Sequence, residues 1–146
     1  MKAYLQLEND ITFEGRAFGR VGDIVGEVVF NTSMAGYQEL ITDPSYYGQI
    51  LTMTYPLIGN YGINLEDDES DGPKIKGLIV REKCDFPNNF RCEINLEDYL
   101  RQNKIIGLEG IDTRALTKVL RNNGTMKGII TLEDVILEEV KDRIAL

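Results

Sequence analysis

Apolar and polar residues alternate through the early part of the chain, and this alternation predicts β-strands with one buried face. The pattern covers Ala3–Glu8, Thr12–Phe18 and Ile24–Asn31. Asn9-Asp10 and the segment Gly19–Gly22 separate these strands and have the composition of turns. The early chain is therefore expected to form a sheet of consecutive hairpins.

Four shorter apolar segments later in the chain also have the composition of strands: Gln49–Tyr55, Lys74–Arg81, Lys104–Leu108 and Thr125–Thr131. Strands that come early and in hairpin order, with helices that cluster late, predict an α/β fold. We expect two β layers with the helices on one side, rather than a regular doubly wound sheet.

Apolar residues at helical spacing predict four helices. The clearest begins after Asp112, a typical N-cap residue, and ends at Gly124 in an expected left-handed cap. Its buried stripe consists of Ala115, Leu116, Val119 and Leu120. The other three run from Tyr37 to the break at Pro44, from Leu96 to Gln102 after a cap at Asn95, and onward from Thr131 through Leu137, Val140 and Ile144.

Length and charge limit the classes of protein to which the chain can belong. Its 146 residues correspond to one domain, and its net charge of −8 comes from 24 acidic and 16 basic residues. This balance argues against a nucleic-acid partner and, more weakly, against an anionic membrane surface. No apolar run is long enough to span a membrane, and the polar amino terminus is not that of a secretory signal.

Residue types that carry catalysis are scarce. The chain has no histidine, which excludes Cys–His, Ser–His–Asp and His-ligated metal mechanisms within it. Cys84 and Cys92 form neither a disulfide framework nor a metal set, so a reducing cytoplasm and a structural or incidental role are favoured. The acidic run 66–72 resembles a calcium loop that starts at Asp67. Its twelfth position is Leu78, where a glutamate is needed, so a solvated loop is the favoured interpretation.

Three segments carry a resemblance to a known family. They are GEVVFNTSMAGYQELITDPSYYG (26–48), TYPLIGNYG (54–62) and GLEGIDTRALTKVLRNNG (107–124), with Asn89-Phe90-Arg91 as a shorter match. Together they resemble the small chain of glutamine-hydrolysing carbamoyl-phosphate synthase. Taken by itself, the third segment is explained as a capped helix packed on a sheet.

The resemblance implies a fold and a domain organisation. The amino-terminal domain of that family is a three-layer β/β/α unit of the swivelling type, and residues 1–146 would form this domain, which docks on the large synthetase chain. The family's small chain continues into a class I glutamine amidotransferase domain with a cysteine, a histidine and a glutamate. That domain has no counterpart in this sequence, so no catalytic residue and no metal ligand is expected among residues 1–146.

The resemblance also implies a function. The family's small chain hydrolyses glutamine, and ammonia then passes to the large chain. ATP and a divalent metal are bound there, and carbamoyl phosphate is made for arginine and pyrimidine synthesis. This domain would bind no cofactor itself. Its partners would be the large chain and, together with the missing domain, glutamine. Aromatic and apolar residues in predicted loops are typical of a docking surface: Tyr46, Tyr47, Leu57 and Ile58.

One site residue is implied by the motif Asp43-Pro44-Ser45-Tyr46. In the family, a serine at the position of Ser45 contacts glutamine. The alternative from the residues alone is a turn serine that bonds its own backbone. For the whole chain, the alternative to part of a ligase is a stand-alone, non-catalytic interaction module derived from the same domain.

Overall fold

The computed structural model describes residues 1–32, 37–54, 73–83 and 96–132. No helix in these ranges is long and apolar enough to cross a membrane. The acidic run 66–72, both cysteines and the predicted last helix lie outside the described residues, as do Asn95, Leu57 and Ile58.

Every predicted strand is present, and the seven strands of the described part join in one closed barrel. The strands are β1 (Lys2–Leu7), β2 (Thr12–Gly19), β3 (Ile24–Asn31), β4 (Ile50–Met53), β5 (Gly77–Ile79), β6 (Ile106–Glu109) and β7 (Met126–Thr131). Their order around the barrel is β1-β2-β6-β5-β4-β3-β7, and β7 returns to β1. Three helices accompany them: α1 (Tyr37–Thr42), α2 (Leu96–Gln102) and α3 (Thr113–Asn123).

The prediction of a mixed α/β fold is confirmed, but the three-layer β/β/α arrangement is not what the described residues form. Among them, β1 and β2 are the only consecutive strands that pair as a hairpin, whereas β3, β4, β5 and β6 run parallel. Parallel neighbours need a crossover connection, and α1 and α2 lie in two of these connections. Alternation in the sequence identifies a strand but does not reveal its partner, so the hairpin order was wrong beyond β2.

Inward-facing side chains from the strands fill the barrel. Leu5 and Leu7 of β1 are fully buried there, and Leu116 and Leu120 of α3 join the same cluster. Glycines replace side chains where the barrel is tightest. A Cβ on Gly77 would lie 2.7 Å from Cδ1 of Ile24. The other buried members of the cluster are Ala3, Val28, Ile50, Ile79, Ile106, Leu108, Ile111, Met126 and Ile130.

A second cluster covers the outer face of the parallel strands. Leu51 and Met53 of β4 point to this side and pack with α1 and α2, so β4 is buried on both faces. Gly107 of β6 gives the Phe18 ring room, because a Cβ there would lie 2.7 Å from it. The remaining buried members are Ile41, Ile75, Leu78, Val80, Leu96, Tyr99, Leu100 and Ile105.

The predicted caps of α3 are confirmed in part. Oδ1 of Asp112 accepts a hydrogen bond from the backbone N–H of Ala115 at 3.0 Å, as expected of an N-cap. Gly124 has φ of +75°, which favours glycine, but its ψ of −174° is extended. The chain therefore leaves α3 directly toward β7 instead of making a left-handed helical cap.

Candidate functional site

Ser45 lies in a single 3₁₀ turn, Pro44–Tyr46, between α1 and β4. Its backbone N–H donates to Oδ1 of Asp43 at 2.9 Å, which closes the start of the turn. The Ser45 side chain is exposed, and its hydroxyl makes no hydrogen bond with the part of the chain that the structure describes. The turn is thus closed by Asp43, and the hydroxyl is left available to a ligand. This geometry differs from that of a serine that bonds its own backbone.

The turn that carries Ser45 is anchored on both sides. The Tyr46 ring packs against the outer cluster, and its hydroxyl oxygen accepts a hydrogen bond from Nδ2 of Asn31 at 3.0 Å. Gly48, with φ of +73°, donates its N–H to the carbonyl oxygen of Lys74 at 2.9 Å. Tyr46 therefore has a structural role. Tyr47 is the residue that fits the expected docking surface, since 78% of it is exposed.

A cavity of about 560 Å³ lies where the parallel strands end. Thr32, Thr54 and Arg81 follow the carboxyl ends of β3, β4 and β5, and one face of α3 forms the opposite wall. That face supplies Thr113, Arg114, Thr117, Lys118, Arg121 and Asn122. From the sequence, α3 was expected to be a structural helix, and no cavity was predicted beside it. The signal it missed is the spacing of Arg114, Lys118 and Arg121 at i, i+4 and i+7.

A smaller cavity, of about 320 Å³, lies beside a balanced network of charges. Lys83 is at its centre, with Nζ 3.6 Å from a carboxylate oxygen of Glu97 and 4.0 Å from one of Glu109. Nε of Arg16 lies 3.9 Å from the same oxygen of Glu109. These ion pairs tie α2 to the barrel, because Lys83 bridges Glu97 of α2 and Glu109 of β6.

No group of three or more histidine, cysteine, aspartate or glutamate side chains in the described ranges is placed to hold a metal ion. The described residues define a class of protein: a closed, mixed β-barrel domain that offers an exposed serine on an anchored turn. The chain belongs to the family described as carbamoyl-phosphate synthase small chain, CPSase domain, which matches residues 5–130.

Individual relatives agree with this family. The chain is 72% identical to the carbamoyl phosphate synthase small chain of Clostridium perfringens over 144 residues, which is 99% of this chain and 41% of that protein. It is 56% identical to the small chain of Syntrophotalea carbinolica, over 98% of this chain and 38% of the relative. The carbamoyl phosphate synthase pyrimidine-specific small chain of Bacillus subtilis is 54% identical, over 99% of this chain and 40% of the relative. The chain thus spans about two fifths of the length of these relatives, and the predicted family is confirmed.

Proposed function

We propose that this chain is the amino-terminal domain of the small subunit of a glutamine-dependent carbamoyl-phosphate synthase. The observation that carries the proposal is 72% identity over 99% of the chain to a protein named as that small chain. Because the chain spans about two fifths of such relatives, the remaining length of the relatives has room for a class I amidotransferase domain. In this proposal that second domain hydrolyses glutamine.

In the same proposal this domain docks the small subunit on the large synthetase chain. Ammonia passes to the large chain, which binds ATP and a divalent metal and makes carbamoyl phosphate in the cytoplasm for arginine and pyrimidine synthesis. The domain itself binds no cofactor in this scheme. The pyrimidine-specific name of the Bacillus subtilis relative supports the pyrimidine branch. Tyr47 supports docking, because an exposed aromatic side chain of this size is typical of interfaces.

Ser45 is proposed to contact glutamine from across the domain boundary. Three features support this role: its exposed hydroxyl, the Asp43 bond that closes the turn, and the Tyr46 anchor. Pro44 fixes its own φ just before Ser45, so the backbone that carries the hydroxyl is largely set before substrate arrives. A preorganised donor loses less conformational entropy on binding, which favours affinity.

The test is Ser45→Ala in the complete two-chain enzyme. A hydrogen bond to a charged group contributes about 1.5–3 kcal/mol, so the KM for glutamine should rise roughly ten-fold or more. Synthesis driven by added ammonia should be nearly unchanged, because that route bypasses the glutamine site. Thr12→Ala removes an exposed hydroxyl elsewhere on the barrel and should change neither reaction.

Two results would contradict the role of Ser45. An unaltered KM for glutamine would make it a turn residue only. An equal loss of rate in the glutamine- and ammonia-driven reactions would instead assign Ser45 to the contact between the two chains.

The chain alone should not hydrolyse glutamine, because it contains no histidine to activate a thiol. Ammonia release from the purified chain is the measurement. Release above background that Cys84→Ser or Cys92→Ser abolishes would refute this expectation.

A further inference from the structure

The cavity at the ends of the parallel strands is lined by positive charge. Arg81 lies on one wall, and Arg114, Lys118 and Arg121 lie on the other. No aspartate or glutamate lines it in the described ranges, although the whole chain has a net charge of −8. An acidic protein repels anions at long range, so a cluster of cations in a concave place is a local exception.

The four cations have no carboxylate partners within the described ranges. The ion pairs found there are made by Lys2, Arg16, Lys83 and Arg101. Arg121 instead stacks over the Phe30 ring, with 5.5 Å from its guanidinium carbon to the ring centroid, and this contact holds the guanidinium at the wall. Four uncompensated cations around one cavity repel each other, and a bound anion would relieve that repulsion.

The donors that line the cavity are the four cations, the amide of Asn122 and the threonine hydroxyls. Thr117 donates its hydroxyl to the carbonyl oxygen of Thr113 at 2.7 Å, and Thr54 donates to that of Asn31 at 3.3 Å. Both threonines therefore shape the wall instead of donating to a ligand. The arginines and Lys118 supply positive charge and donors that suit an anion, and the NH2 group of Asn122 is a further donor. Arginine also matches phosphate oxygens in a bidentate manner.

The spacing of the cations indicates the shape of the anion. Arg114, Lys118 and Arg121 follow one face of α3 over about 10 Å, given a rise of 1.5 Å per residue. Arg81 faces this row from the end of β5. A row of charges suits an extended polyanion better than a single phosphate, and a cavity of about 560 Å³ lies within the range of small-molecule sites.

We propose that this cavity binds an oligophosphate, as the free ion or as the phosphate chain of a nucleotide. Its position agrees with a general tendency of α/β proteins, in which ligands bind beyond the carboxyl ends of parallel strands. The proposal does not rest on the role of Ser45, which precedes β4 and is not among the residues that line the cavity.

The test is calorimetry of the 146-residue chain at low salt, without divalent metal. The probes are phosphate, pyrophosphate, tripolyphosphate and ATP. We expect saturable 1:1 binding of tripolyphosphate, weaker binding along the series to phosphate, and loss of affinity as salt rises. ATP that binds like tripolyphosphate identifies the phosphates as the whole ligand. Tighter binding of ATP shows that the nucleoside is contacted as well.

Variants decide whether the binding belongs to this cavity. Arg114→Gln and Lys118→Gln should each weaken tripolyphosphate binding about ten-fold, the effect of losing one charge-assisted hydrogen bond. Both residues are exposed, so the fold should survive, and melting temperatures check this. Arg20→Gln removes the same charge from an exposed turn away from the cavity and should leave the affinity nearly unchanged.

Three results would overturn the proposal. The first is no saturable binding of tripolyphosphate to the chain. The second is a loss of tripolyphosphate affinity in Arg20→Gln that equals the loss in Arg114→Gln, which would show diffuse electrostatic attraction. The third is weaker association of the Arg114→Gln chain with the large synthetase chain, without any oligophosphate binding by the unaltered chain. That outcome would make the cavity a protein-docking surface.

Discussion

At the scale of single residues, Thr52 is a polar side chain that the barrel buries without a hydrogen-bond partner in the described ranges. It is fully buried on β4, and its hydroxyl has no hydrogen bond with any described residue. A buried hydroxyl that has lost its water and gained no partner costs about 1–3 kcal/mol. Thr52→Val keeps the shape, so we expect the free energy of unfolding to rise by about 1 kcal/mol, measured by denaturant titration.

Thr117 provides the matched control for Thr52. It is also buried, but its hydroxyl donates to the carbonyl oxygen of Thr113 at 2.7 Å. Thr117→Val should therefore lower the free energy of unfolding by about 0.5–1.5 kcal/mol. Two variants that shift stability in the same direction would show that hydrogen bonding does not distinguish these threonines.

Single residues also show where sequence analysis was sufficient. The side chain of Asp112 and the positive φ of Gly124 follow from local chemistry, and both were predicted. The exposure of the Ser45 hydroxyl was not decidable, because a turn serine and a ligand-binding serine have the same sequence. The structure shows an exposed Ser45 on a turn that the Asp43 bond closes, and the Ser45→Ala measurement decides between the two roles.

At the scale of elements, α3 depends on its first turn. Asp112 accepts the N–H of Ala115, one of the donors that a helix start leaves unpaired. Asp112→Ala should lower the free energy of unfolding by about 0.5–2 kcal/mol, because N-cap removal costs that much in proteins. Asp112→Asn retains an oxygen acceptor and should change stability far less. Equal losses in both variants, by denaturant titration, would assign the effect to charge and not to the cap.

The strands also show what the hydrophobic pattern can predict and what it cannot. Each strand was placed to within a few residues, since alternation and turn composition are local properties. The pairing of β2 with β6 was not predicted, because Ala17 and Leu108 are partners far apart in sequence. The cavity was missed for the same reason. Arg81 meets the face of α3 only when β3, β4 and β5 lie parallel.

At the scale of the whole molecule, barrel closure should make unfolding cooperative. Leu5 and Leu7 of β1 share one interior cluster with Ile130 of β7 and Leu116 of α3. We expect a single thermal transition, with coincident midpoints for circular dichroism and tyrosine fluorescence. A chain that lacks residues 1–8 would leave β2 and β7 with open edges and should lose this transition. Two separated midpoints in the intact chain would contradict a single cooperative unit.

Barrel closure also sets the order of events during translation. β7 fills the gap between β1 and β3, so both earlier strands keep an unpaired edge until Thr131 has left the ribosome. An unpaired strand edge is a template for pairing with another chain. We therefore expect a nascent chain to be most prone to aggregation, and to depend most on chaperones, just before the segment 126–131 emerges.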